Sequence, residues 1–322
     1  MSSIRSIAQS AVEAAIFSSG DAPATHTETR PSMGGHATIT VVGGTRDLLS
    51  RAFALLDECE ALWSRFIGSS DVSILNNAEG TPTVVAALTV RLIEEMKLGN
   101  ILTNGDFDPT LLPALVSAGY SKSVVNRDRK CIIPASATAP GNLAGISVDG
   151  LSVTMPRGTT IDSGGVGKGL AADIVGQFIV DAGAWGALVE VSGDVVAVGL
   201  SPDRRGWCIG IENPLDPASH VDIVRLSSGA VVTSSQRKRR WTTAHGARHH
   251  LIDPRTGDSA VSDIQTVTVV AASGARAETL SKSGFLRNPD EYLAWLPTVG
   301  AAGLLIDANG ACLTTENWKD YS

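Results

Sequence analysis

A chain of 322 residues, 43% of them hydrophobic, can bury a substantial core, and its 33 Gly and 14 Pro are too few for a collagen-like or low-complexity chain. The net charge of −7 argues against a general grip on nucleic-acid phosphates and leaves small anions held by local dipoles open. No run approaches the ~18 apolar residues that cross a bilayer, and with no export signal evident the expected setting is the cytoplasm, with no membrane partner.

Residues 1–31 end in a polar run from Asp21 to Pro31 and read as a flexible arm, leaving one folded domain over 32–322. Ala37 to Val42 has the β-branched character of a strand. Leu49, Ala52, Phe53, Leu56, Cys59, Trp63 and Phe66 recur at helical spacing, which predicts a helix between Leu48 and Phe66. A second helix is expected from Thr83 to Thr103, stopping at Asn104-Gly105. A third runs from Gly167 to Gly183 and buries Leu170, Ile174, Phe178 and Ile179. Ile146 to Met155 reads as a hairpin in which Asp149 and Gly150 both take positive φ, and Asn309-Gly310 turns in the same way between Leu304 and Leu313. Further strands are predicted at 186–199, 207–212, 221–234 and 264–272. Helices and strands do not alternate as in a wound parallel sheet, so the class is α+β, with mixed or antiparallel sheets layered against helices. Cys59, Cys131, Cys208 and Cys312 are dispersed and read as buried thiols.

Thr160 to Gly169, T-I-D-S-G-G-V-G-K-G, closes an extended run and opens the third helix. Free N–H groups and the helix dipole make such a turn a natural seat for an anion, and Lys168 adds a charge. A P-loop does not fit, because its first glycine would fall on Asp162 and its Ser/Thr on Gly169. A dinucleotide fingerprint fails at Leu170. A tight connection without a ligand is the alternative.

Six further segments, in order, resemble the FAD:protein FMN transferase family, the ApbE-type flavin transferases. They are Ser32-Met33-Gly34-Gly35; Glu60 to Phe66 with Ser70 to Asn76; Phe107-Asp108-Pro109-Thr110 with Pro113; Ile161 to Asp173; Glu190 to Asp194; and His250 to Gly257. They match, among others, the patterns F-D-P-T-x-x-P, D-x-G-G-[IV]-x-K-G-x-x-x-D and H-x-[IL]-D-P-x-T-G. The resemblance spans about residues 32 to 290. It implies a T-fold-like layered architecture and transfer of FMN from FAD onto a Ser or Thr of an acceptor protein, with AMP leaving. Met33, Phe66, Phe107, Asp108, Asp162, Lys168, His250 and Leu251 would then contact the flavin dinucleotide. A flavin-binding protein without activity, or an FAD pyrophosphatase yielding FMN and AMP, is the rival reading.

Family members usually neutralise the phosphates with Mg2+, held by an A-D-x-x-x-T helix start and a main-chain oxygen of the glycine turn. Here the metal positions would be Gly165 and Glu278, but Lys282 replaces the threonine. An ammonium cannot ligate a cation. Residues four apart share a helix face, so Lys282 is expected beside Glu278 as a built-in cation that Glu278 orients, unless the two form only a surface pair. Glu278, Lys282 and His250 are the catalytic candidates.

The remaining candidates keep two readings each. Asp108 and Asp162 could cap local turns or face the flavin; Asp173 is expected to be structural. Ser192 and Ser234 could donate to phosphate. Arg237 to Arg240 is either a solvated run or a contact for phosphate or acceptor. His249 is expected to be an exposed neighbour of His250, and His245/His249 lack the helix and carboxylate that zinc would need.

Overall fold

Eight extended segments build the central sheet. In chain order these are Thr25–Ser32 (β1), Gly35–Val42 (β2), Gly186–Val191 (β3), Asp194–Gly199 (β4), Gly229–Ser235 (β5), Ile264–Ala271 (β6), Ala302–Asp307 (β7) and Cys312–Thr314 (β8). The structure, a computed structural model, describes residues 23–243 and 246–322. Every strand pairs antiparallel with its predecessor, so spatial order and chain order coincide. Both faces of the middle strands are covered. Val189, Val232, Val267 and Val269 point to the helical layer, whereas Leu188, Val231 and Val270 point to a ribbon of Trp207–Asn213 and Asp216–Leu226. Double cover explains why these strands are apolar almost throughout.

The helical layer contains Asp47–Trp63 (α1), Ala87–Leu102 (α2), Gly167–Asp181 (α3) and Gly274–Ser283 (α4). α1 buries the stripe from Leu49 to Trp63 that its spacing predicts. Each large apolar side chain there contributes about 1.5–3 kcal/mol. α3 and α4 touch backbone to backbone: a Cβ on Gly169 would lie 2.3 Å from the Gly274 carbonyl carbon. Only glycines permit that approach. The Asp173 carboxylate fastens the crossing by accepting the N–H groups of Gly274 (2.7 Å) and Ala275 (2.9 Å) at the start of α4. That is the structural role expected of Asp173.

Several expectations need correction. Residues from Thr25 onward are not a loose arm but edge strand β1, paired along its length with β2; residues 1–22 and His245 lie outside the described residues. The second helix begins at Ala87, because Thr83–Val84 is a short strand paired with Ser152–Thr154. Of Asp149 and Gly150 only Gly150 takes positive φ, and likewise only Gly310 of Asn309-Gly310. Turns at Ser192-Gly193 and Ser227-Ser228 split two predicted long strands. Phe178 is half-buried beneath the Arg51 guanidinium. Cys208 and Cys312 are exposed, while Cys59 and Cys131 are buried. Among the described residues no helix is long and apolar enough to cross a membrane.

Candidate active site

The strand register brings the β1–β2 turn, the β3–β4 turn and the end of β5 to one end of the sheet. There they meet the glycine turn and the C-terminal half of α4, and a three-lobed cleft opens between them. The first lobe is mostly apolar, with Phe107, Leu111, Leu115, Leu251 and Phe285 in its wall. Met33, Trp63, Phe66 and Tyr120 line the second. The third is polar and holds Ser192, Asp194, Ser234, Lys238 and Lys282. Gly164 and Arg239 line all three.

The second lobe has an aromatic wall. Tyr120 stands between Phe66 (ring centroids 6.0 Å apart) and Trp241 (5.4 Å). The Arg65 guanidinium lies 4.4 Å from the Phe66 centroid and 4.6 Å from that of Tyr120. Such a wall offers flat ring faces to an aromatic ligand. Arg65 also holds Asp162 at 3.3 Å. Asp162 borders both the first and the second lobe, so this ion pair fixes its carboxylate at their boundary. Gly165 is pressed against Phe107, since a Cβ there would lie 2.7 Å from the ring.

Beneath the polar lobe lies a buried ion cluster. Lys168 Nζ donates to both Asp194 Oδ2 and Glu278 Oε1, while Glu278 Oε2 accepts the Gly169 N–H at 2.9 Å. Burial alone would lower the Lys168 pKa, but the two carboxylates outweigh it and hold it above its ordinary value. Lys282 Nζ donates instead to Ser234 Oγ at 2.7 Å. Burial, opposed by the Glu278 charge, brings Lys282 down to about 8. Glu278 therefore engages Lys168 rather than orienting Lys282, and it is wholly buried behind the cleft wall, not a surface partner. Lys168, expected to face an anion, spends its charge on two carboxylates.

His250 borders the apolar and polar lobes, and its Nδ1 is buried without a partner among the described residues. Burial, then the positive charges of Arg239, Lys282 and Lys168, hold its pKa well below the ordinary imidazole value. The ring is neutral at physiological pH and has a lone pair to offer. His249 is not exposed. It is buried, with Nε2 against the Ala260 carbonyl at 3.0 Å, because it faces the opposite side of the same extended segment. Asp108 borders the apolar lobe while one of its oxygens accepts the N–H and hydroxyl of Thr110. Ser192 Oγ is buried, without a partner among the described residues, in the turn that lines the polar lobe.

Met33, Phe66, Phe107, Asp108, Asp162, Gly165, Lys168, His250, Leu251 and Lys282 thus share one cleft, and Glu278 lies behind it. Arg65 and Tyr120 are cleft residues that sequence reasoning did not single out, and within the candidate run Arg237 to Arg240 it is Arg239 that reaches all three lobes. Tyr120 carries no local signal, and four consecutive basic residues do not reveal which one turns inward.

Residues 33–304 match the ApbE family. The chain belongs to the ApbE family. A Vibrio cholerae relative named FAD:protein FMN transferase is 27% identical over 247 residues, 74% of this chain and 73% of its own. A Treponema pallidum relative of the same name is 26% identical over 265 residues, 77% and 73%. The crystal structure of the Thermotoga maritima ApbE protein superposes with a TM-score of 0.81 at 24% identity, over 92% of this chain and 99% of that one. The Pseudomonas stutzeri flavinyl transferase ApbE gives 0.77 at 24% identity, over 92% and 96%. The α+β arrangement with antiparallel sheets is therefore the ApbE fold.

Tested against a divalent ion, the ApbE metal position in this chain has the wrong donor set. Both Glu278 oxygens are engaged, by Lys168 and by the Gly169 N–H, and two ammonium groups flank the carboxylate. Among the described residues no three His, Cys, Asp or Glu side chains converge as a metal group. A cation entering here would have to displace Lys168 and would meet the Lys282 charge.

Proposed function

We propose that this protein transfers FMN from FAD to a Ser or Thr hydroxyl of an acceptor protein, with AMP as the leaving group. The observation that carries the reading is the meeting of three lobes at Gly164 and Arg239. FAD has two ring systems joined by a diphosphate. Two lobes suit the rings, the cationic junction suits the diphosphate, and the polar lobe leaves an approach for a hydroxyl. The names of the relatives and the family match point the same way.

In the proposed step the acceptor oxygen attacks the FMN-side phosphorus. A new P–O bond forms, the bond to the AMP phosphate breaks, and its electron pair stays on AMP. His250, neutral and unpartnered at Nδ1, takes the hydroxyl proton. Lys282, anchored on Ser234, stabilises the charge that grows on the transferring group. Lys168 acts indirectly, by neutralising the carboxylates that would otherwise repel the phosphates. Preorganised charges of this kind supply most of the help a phosphoryl transfer needs.

The test is incubation with FAD alone and then with candidate acceptor proteins, followed by chromatography and intact-mass measurement. A flavin-sized mass gain on the acceptor, with AMP released, is the expected result. Free FMN without an acceptor would make the protein a pyrophosphatase, and unchanged FAD under both conditions would leave only binding; either outcome overturns the transferase reading.

A further inference from the structure

Within the basic run 237–240, Arg239 lines all three lobes of the cleft; Lys238 is exposed and borders the polar lobe alone, and Arg237 and Arg240 are exposed. Its backbone sits at φ 55°, in the left-handed region that a long L side chain adopts only when its surroundings enforce it. The guanidinium reaches across to the β1–β2 turn, where a Cβ on Gly34 would lie 3.5 Å from Nη2. Nearby Lys238 pairs with Glu212 and Arg248 with Asp258, yet among the described residues Arg239 has no carboxylate within ion-pair distance. A strained, uncompensated guanidinium at the junction of three lobes is a site awaiting an anion.

We infer that Arg239, together with Lys282, forms a protein-borne clamp for the diphosphate of the donor, so that this chain holds FAD without a divalent cation. The inference rests on the flavin-transfer reading and adds how the diphosphate is held. Charge counting favours it. Lys168 is spoken for by Asp194 and Glu278, whereas Lys282 donates to neutral hydroxyls, Ser234 at 2.7 Å and Ser281 at 3.5 Å. Arg239 and Lys282 thus bring two positive charges to a ligand segment that carries two negative ones. The planar fork of Arg239 can donate in a fixed geometry to one oxygen on each phosphorus, whereas an ammonium acts as a point charge without that directional match. In this arrangement a fixed side chain takes the electrostatic part that a bound ion would otherwise play.

The experiment is calorimetric titration of the full-length protein with FAD, ADP and riboflavin, each with EDTA and then with millimolar Mg2+. The wild type should bind FAD and ADP with the same affinity under both conditions. Arg239→Ala should weaken FAD and ADP by about 10- to 100-fold and riboflavin by less than about twofold, because only the first two carry the diphosphate. Arg239→Lys, which keeps the charge and loses the fork, should fall between. Lys282→Thr should make FAD affinity respond to Mg2+. Wild-type binding that disappears in EDTA and returns with Mg2+ would overturn the inference while leaving flavin transfer intact. So would an Arg239→Ala protein that loses riboflavin as strongly as FAD, or that loses neither. A wild type that binds none of the three overturns the flavin reading itself.

Discussion

Replacing Lys168 by Met is the sharpest test of the buried ion cluster. The ammonium is 17% exposed and lies between Asp194, 4% exposed, and Glu278, 0% exposed. Methionine fills much of the same volume, so the main change is one lost charge and two carboxylates left facing each other out of water. Breaking a buried ion pair in this way costs about 3–5 kcal/mol. Unfolding entropy of about 2.1 cal/mol/K per residue gives a 322-residue chain about 0.7 kcal/mol/K, so Tm should fall by about 4–7 °C at neutral pH. The loss should shrink on acidification. Without Lys168 the facing carboxylates raise one another's pKa in the folded variant, which then binds more protons than the unfolded chain, and its stability climbs as pH falls through that raised pKa toward the ordinary carboxylate range. Differential scanning calorimetry of both proteins at several pH values reads the two effects together. A Tm within about 1 °C of wild type at neutral pH, or a deficit that does not change with pH, would refute the cluster as described.

Gly169→Ala should destabilise by at least about 1–3 kcal/mol, measured by urea unfolding, because its methyl would meet the Gly274 backbone at 2.3 Å and push α3 from α4. His250→Asn should lower the transfer rate by about 10²–10⁴-fold while FAD affinity by calorimetry changes little, as a base acts on the proton and not on the donor. With burial holding His250 neutral below the ordinary imidazole range and Lys282 brought down to about 8, the wild-type rate should peak near neutral pH, falling in acid as the ring gains its proton and falling again as pH rises through about 8 and Lys282 loses its own. A thiol reagent should modify Cys208 and Cys312 quickly in the native protein and Cys59 only after unfolding, since burial pushes the Cys59 thiol up to about 12.

Local features were legible in the sequence, and long-range pairings were not. The glycine turn, the Phe107 to Thr110 stretch and the His250 to Gly257 stretch carry their signals in consecutive residues, and all three border the cleft. The partner of Glu278 was misjudged because helical spacing favours Lys282, four residues on. The fold brings Lys168 to it from 110 residues away, across the Gly169–Gly274 contact. β1 was hidden because it is an edge strand, half-exposed along most of its length, and its Thr, Glu and Arg residues show no apolar alternation. The run from Arg237 to Arg240 could not reveal its inward member, since a backbone angle makes that choice.

Of the sheet's pairings only β1–β2, β3–β4 and β7–β8 are tight hairpins; β2 ends at Val42 and its partner β3 begins at Gly186, so the sheet closes through long-range contacts. The cleft is more dispersed still. Its walls come from loops and helix ends as far apart as Met33 and Lys282, so no fragment carries a usable share of it. Competence to hold a dinucleotide should therefore arise late in refolding, after β-structure has been regained. Flavin added to the refolding mixture should stabilise the finished protein without hastening its formation.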